Sequence, residues 1–320
     1  CEGAGVSCDV PMTAARETTL TFRVTTRALT VRRAGTGTGR VTSAPAGIDC
    51  GTDCSEDYAY DTRVTLSALP DTATSRFAGW SGACSGMDAC AVTMTEARDV
   101  TATFTLLDRA LDVEVGGRGA GSVTSEPAGI TCPGTCRAVY PHGREVVLTA
   151  RPADGNVRFA GWTGACTNPE TTCRVTMTQA RTVRATFQPV QRTLTVRVGA
   201  GGSVVSTPAG SDCGAACTAP FDHGQDVTLT PRPAVGMVFS GWQGACTGTG
   251  ACVVRMTADQ SVAATFVVAR HRLTVSLAGT GRGDVVSDPS GILCGRDCTE
   301  DYDHGTRVTL LGRAAANSEL

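Results

Sequence analysis

Sixteen cysteines among 320 residues are the side chains whose type and spacing most readily suggest chemistry. They recur as a Cys-x3-Cys loop, at Cys50/Cys54, Cys132/Cys136, Cys213/Cys217 and Cys294/Cys298, alternating with a wider pair at Cys1/Cys8, Cys84/Cys90, Cys166/Cys173 and Cys246/Cys252. Four thiolates per period could bind zinc, but structural zinc knuckles favour a shorter Cys-x2-Cys, and the wider pair fits them poorly. Redox catalysis calls for Cys-x-x-Cys beside a βαβ unit, which is absent. Structural disulfides remain. Four cysteines allow three connectivities, and spacing does not choose among them. Chain entropy favours a bridge across ~35 residues, worth about 4 kcal/mol, over local loops worth about 2 kcal/mol each. Each local pair, however, flanks a turn between adjacent strand ends, so local pairs are the expectation, in an oxidising, extracytoplasmic compartment.

Other reactive groups lack a constellation. His142, His223 and His304 sit in turns, and no histidine recurs in all copies beside a fixed Ser or Asp, so catalysis lacks parts. Asp53, Glu56, Asp57 and Asp61 cluster, as do Asp297, Glu300, Asp301 and Asp303, but the second copy offers Pro133-Gly134-Thr135 instead, and these acids read as a solvated loop rather than a calcium site. The Gly-x-Gly runs shift between copies and precede no helical pattern, so they read as turns and not as phosphate cradles. No catalytic residue, cofactor or metal is expected.

The elements that carry these residues repeat. Phe77-Ala78-Gly79-Trp80-Ser81-Gly82-Ala83-Cys84 returns as Phe159 to Cys166 and as Phe239 to Cys246, so the three tryptophans, Trp80, Trp162 and Trp242, mark a period of about 81 residues. Within a copy, Leu29 and Val31 alternate with polar neighbours in the manner of a half-buried strand. A glycine-rich turn leads to a second strand at Val41, and the two read as a β-hairpin. Then come Pro45, the Cys-x3-Cys loop, an aromatic (Tyr58, Tyr140, Phe221 or Tyr302), and a turn. That turn reads His-Gly in three copies and Tyr60-Asp61 in the other, which predicts a left-handed residue. Strands at Val64-x-Leu66, Val92-x-Met94 and Val100-x-Ala102-x-Phe104 close the copy. The predicted fold is an all-β or nearly all-β tandem array of small, disulfide-stapled repeats of five or six strands each. The predicted core is Trp80, Trp162 and Trp242 with Phe104, Phe187, Phe266, Met94, Met177 and Met256, since few other large residues exist to fill it.

The boundaries expected are 1–24 for the C-terminal part of a repeat, whole repeats at 25–106, 107–189 and 190–268, and the N-terminal part of another at 269–320. Residue 1 reads as mid-domain, which implies a segment of a longer chain. From each closing Phe to the next opening Leu the spacing is constant and free of glycine, which predicts copies held in a stiff rod.

A formal net charge of -2 gives no electrostatic case for a nucleic-acid partner, and no apolar run is long enough to span a membrane. All 28 basic residues are Arg, so Lys-to-Asn isopeptide crosslinks are excluded and disulfides are the available covalent staple.

Val41-x-Ser43-x-Pro45-x-Gly47-Ile48-x-Cys50-x3-Cys54, Phe77-x-Gly79-Trp80-x-Gly82-x-Cys84, Val92-x-Met94 and Val100-x-Ala102-x-Phe104 together resemble the divergent internalin B-repeat family, over essentially the whole chain. The resemblance implies a small β-rich module, related to a β-grasp-like repeat, strung along secreted or surface-anchored bacterial proteins as a spacer or adhesive segment. It carries over no catalytic residues. Two functions stay open: a structural stalk or fibre body, with self-association into filaments, and an adhesin or carbohydrate-binding module whose Gly-Trp loops meet a host or glycan ligand.

Overall fold

The computed structural model describes residues 7, 9–210, 212–214 and 216–319. Among them there is no helix. The first copy has eight strands: β1 (Thr26–Ala34), β2 (Gly39–Ala44), β3 (Asp49–Cys50), β4 (Ser55–Ala59), β5 (Arg63–Pro70), β6 (Ser75–Gly82), β7 (Cys90–Thr93) and β8 (Arg98–Leu106). They form two four-stranded sheets, ordered β4-β1-β8-β6 and β3-β2-β5-β7. All neighbours are antiparallel except β1 and β8, which run parallel with Val31 opposite Val100.

The same series continues as β9 (Asp108–Gly117), β10 (Gly121–Glu126), β11 (Thr131–Cys132), β12 (Arg137–Pro141), β13 (Glu145–Pro152), β14 (Val157–Gly164), β15 (Thr172–Thr176) and β16 (Arg181–Pro189). The third copy supplies β17 (Gln191–Val198), β18 (Gly202–Thr207), β19 (Asp212–Cys213), β20 (Ala216–Asp222), β21 (Asp226–Pro233), β22 (Met237–Gly244), β23 (Cys252–Arg255) and β24 (Gln260–Val268). Both repeat the two strand orders of the first. Last come β25 (Arg270–Thr274), β26 (Gly283–Asp288), β27 (Leu293–Cys294), β28 (Thr299–Asp303) and β29 (Thr309–Ala314), in a two-stranded sheet β25-β28 and a three-stranded sheet β27-β26-β29.

The chain divides into two compact units. One is Cys1–Gly116 with Ser122–Arg151 and Gly161–Thr186; the other is Gly117–Gly121 with Pro152–Ala160 and Phe187–Leu320.

Eight strands per copy exceed the five or six expected. The additional ones are the two-residue β3, the acidic β4 and the glycine-bearing β6, none of which shows the period-two apolar pattern that betrays a strand in sequence. The expected hairpin of the first two strands is also corrected. β1 and β2 lie in different sheets, so the glycine turn carries the chain across the sandwich rather than back along one sheet. The Gly37 amide donates to the Phe104 carbonyl (3.0 Å), which anchors that crossover to β8.

Alternation along the strands builds the core. Leu29 and Val31 of β1, Val41 of β2, Val64 and Leu66 of β5, Val92 of β7 and Val100, Ala102 and Phe104 of β8 pack into one buried cluster with Trp80 and Met94. The third copy repeats it from Leu194 to Phe266. Residues 9–25 form no strand, and Leu20 and Phe22 are exposed. Ala102 and Phe104, by contrast, are buried on β8, which lies between β1 and β6.

A serine organises the loop after the second strand. Ser125 Oγ accepts from the Ile130 amide (2.9 Å), meets Tyr140 Oη at 2.8 Å and donates to the Pro127 carbonyl (2.8 Å). Ser287 makes the same set with Ile292, Tyr302 and Pro289, and Ser43 accepts from the Ile48 amide and from Tyr58 Oη. Replacing Ser125 by Ala strands the half-buried Ile130 amide and leaves the Tyr140 phenol only its 3.3 Å bond to the Pro127 carbonyl, and is expected to cost about 1–3 kcal/mol in urea denaturation. Tyr140→Phe should cost less, because the third copy already has Phe221 at that position.

Candidate functional site at the junctions between copies

The residues singled out by sequence are mostly interior. Trp80, Trp162 and Trp242 are 6%, 1% and 3% exposed, and Met94, Met177, Met256, Phe104, Phe187 and Phe266 are buried with them. Indole Nε1 donates to the Asp88 carbonyl (3.0 Å) in the first copy and to the Gly250 carbonyl (3.1 Å) in the third. Each Trp amide also donates across the following loop, to Gly86, Asn168 or Gly248. The glycines of the motif make this packing feasible. Gly79 sits at a register shift between β6 and β8, and Gly82 has a φ of +93° with the Asp99 carbonyl oxygen only 2.5 Å from where a Cβ would stand. The loop therefore turns its aromatic inward. It presents no indole face on which a sugar could stack.

The cysteines pair within their loops: Cys50–Cys54, Cys84–Cys90, Cys132–Cys136, Cys166–Cys173, Cys213–Cys217, Cys246–Cys252 and Cys294–Cys298. Cys1 and Cys8 lie outside the described residues. The bridges close the loops at the ends of the second sheet of each copy, and no free thiol is present among the described residues. Among the described residues, no group of three or more His, Cys, Asp or Glu is placed to hold a metal ion.

The arrangement that recurs and is not merely core lies where one copy meets the next. A single residue separates the last strand of one copy from the first of the following: Leu107 between β8 and β9, Val190 between β16 and β17, Ala269 between β24 and β25. Its amide donates backward to a turn of the preceding copy. Its carbonyl accepts from a turn of the following one. Thus the Leu107 amide donates to the Thr74 carbonyl (2.8 Å) and its carbonyl accepts from the His142 amide (2.7 Å). Val190 does the same with Asn156 (2.7 Å) and His223 (2.8 Å), and Ala269 with Gly236 (2.8 Å) and His304 (2.7 Å). Both backbone groups of each junction residue are thereby satisfied by the two copies it joins.

The turn that supplies the forward contact depends on its second residue. Asp61, Gly143, Gly224 and Gly305 have φ between +65° and +85°. In the first three copies the amide of that residue donates to the carbonyl of the buried Met94, Met177 or Met256. One left-handed residue thus lets successive amides reach the junction and the core.

Side chains add to the hold. Arg109, two residues past Leu107, donates from Nη2 to the Ala73 carbonyl of the preceding copy (2.7 Å). Arg118 meets Asp222 of the third copy at 2.7 Å, where the carboxylate side chain is only 14% exposed. Within the first copy, the guanidinium of Arg27, the counterpart of Arg109, lies 5.9 Å from the Tyr60 ring centre. Elsewhere, the guanidinium of Arg40 hydrogen-bonds Asp49 and that of Arg272 hydrogen-bonds Asp301, which holds both carboxyls below the usual carboxylate range. Lowered carboxyls stabilise the fold above the ordinary Asp range, and this contribution fades as pH falls through the lowered values. Both pairs are exposed, so the effect is small.

Sequence reasoning missed the junction residue, because Leu107, Val190 and Ala269 share no side-chain chemistry and act through their backbone. The serine of the recurrent Ser-x-Pro is legible only as part of the repeated motif, and its bonding role is not.

The divergent InlB B-repeat domain matches residues 29–107, 111–191 and 192–270. The chain belongs to this family. Its three matched B-repeats are the three copies with two complete sheets. Comparison with curated proteins yields no match. Among solved structures, the Bacillus anthracis TIE protein is similar at 9% identity and a TM-score of 0.41, over 74% of this chain and 49% of that one. The pilus adhesin SpaC of Lactobacillus rhamnosus GG is similar at 11% identity and a TM-score of 0.27, over 76% and 43%. The minor pilin GBS52 of Streptococcus agalactiae is similar at 9% identity and a TM-score of 0.20, over 51% and 95%. The B-repeat chain spans about half the length of the first two.

Proposed function

We propose that this chain is a structural segment of an extracellular bacterial protein, a stalk or fibre body in which successive B-repeats hold one another at fixed junctions. The observation that carries the reading is the single-residue junction, whose amide and carbonyl are each bonded to a neighbouring copy. A flexible tether would leave those groups to water and needs several residues without strand structure. Seven disulfides among the described residues and an absence of lysine agree with a chain stapled in an oxidising compartment. The buried tryptophans leave the glycan-platform reading without a binding face.

Electron microscopy of the native full-length protein, without reducing agent, tests this. Straight particles about 30 Å wide, beaded once per repeat, are expected. Inserting Gly-Ser-Gly between Leu107 and Asp108 should introduce a bend of variable angle at that junction while leaving each B-repeat folded. Particles that bend as freely before the insertion as after it would refute the reading. Regular thicker filaments would assign the function to lateral assembly of the same repeats.

A further inference from the structure

One junction differs from the others in its chemistry. Arg109 and Arg192 stand two residues past their junction residues, whereas the position two past Ala269 holds His271. His271 on β25 lies opposite Tyr302 on β28, and His304 lies two residues beyond Tyr302. Alternation along a strand therefore places both imidazoles on one face of this two-stranded sheet. The His304 amide bond to the Ala269 carbonyl extends the ladder and fixes that diagonal. His271 Nε2 and His304 Nδ1 approach to 3.1 Å. The neighbouring cations point away: Arg270 pairs with Asp303 and Glu300, and Arg272 with Asp301.

We propose that His271 and His304 hold a transition-metal cation of the Zn²⁺ or Cu²⁺ class at the junction between the third and fourth copies. Two bonds of about 2.0–2.1 Å at a near-tetrahedral angle place imidazole nitrogens about 3.3 Å apart, close to the separation already present. Both rings are exposed, so water can complete the coordination. In the N–H···N contact one of the two nitrogens carries a proton. On coordination that ring takes its other tautomer and both nitrogens turn lone pairs to the ion. Gly236 of the third copy makes room for His304, since a Cβ there would stand 2.3 Å from the imidazole Cδ2. An ion at this place would tie β25 to the turn that touches the third copy. His142 and His223, each two residues from its aromatic but facing an Arg position, lack the second imidazole.

The test is calorimetric titration of the intact, oxidised chain with ZnCl₂ and, separately, with CuCl₂, backed by electron paramagnetic resonance of the Cu²⁺ form. One ion bound through two nitrogens is expected. His271→Arg, which installs the residue of the second and third copies and so keeps the fold, should abolish that binding, as should His304→Ala. His223→Ala should leave it unchanged. Binding that survives His271→Arg, binding that is lost in His223→Ala, or no uptake by the wild-type chain would overturn the assignment.

Discussion

Reducing the disulfides is expected to unfold the B-repeats under conditions where the oxidised protein is fully native. Each bridge closes a loop of five to eight residues, as in Cys50–Cys54 and Cys166–Cys173. Chain entropy assigns such a loop about 2 kcal/mol, so two per copy supply about 4 kcal/mol. A domain of this size holds only a few kcal/mol of net stability from its core. The contribution of the bridges is thus comparable with the whole. Urea titration with and without dithiothreitol, followed by tryptophan emission, should show the midpoint falling steeply on reduction, with emission shifting to the red as Trp80, Trp162 and Trp242 meet water. A midpoint that hardly moves would show that the two sheets suffice without staples.

The second large effect is truncation of the motif aromatic. Trp80→Ala is expected to cost about 3–5 kcal/mol, the range for removing a large buried aromatic side chain. Trp80 packs 5.0 Å from Phe77, and Phe77 in turn meets Phe104 edge-on at 5.7 Å. Its loss therefore opens the centre of the first copy. Trp162 and Trp242 remain as reporters for the other copies. Emission from these two should stay blue while proteolysis cuts within residues 26–106. Gly82→Ala should reproduce the damage with the tryptophan in place, because a Cβ at φ +93° meets the Asp99 carbonyl oxygen at 2.5 Å. If Gly82→Ala were neutral, the motif glycine would have no steric role.

Much of this molecule is legible in its amino-acid order. Recurrence of Phe-x-Gly-Trp-x-Gly-x-Cys marks the copies, because a fold repeated in space must repeat its buried large residues. Period-two alternation at Leu29-Val31, Val64-Leu66 and Val100-Ala102-Phe104 marks strands with one face in the core, since successive side chains of a strand point to opposite faces. Gly143 and Asp61 mark a left-handed turn because few other residues accept that backbone.

What the order of residues could not convey depends on which strand meets which. The pattern at Leu29-Val31 followed by a glycine turn and Val41 is the same whether two strands share a sheet or face each other across a core. Only the parallel pairing of β1 with β8, some seventy residues apart, decides it. The junctions were hidden for a related reason. Leu107, Val190 and Ala269 act through amide and carbonyl groups that every residue but proline possesses, so no residue type betrays them. His271 and His304, thirty-three positions apart, become a pair only when β25 and β28 fix their register. Side-chain identity and local period therefore determined the all-β repeat and its core, whereas long-range register, a property of hydrogen bonds between distant backbones, decided the sandwich, the hold between copies and the one place where two imidazoles meet.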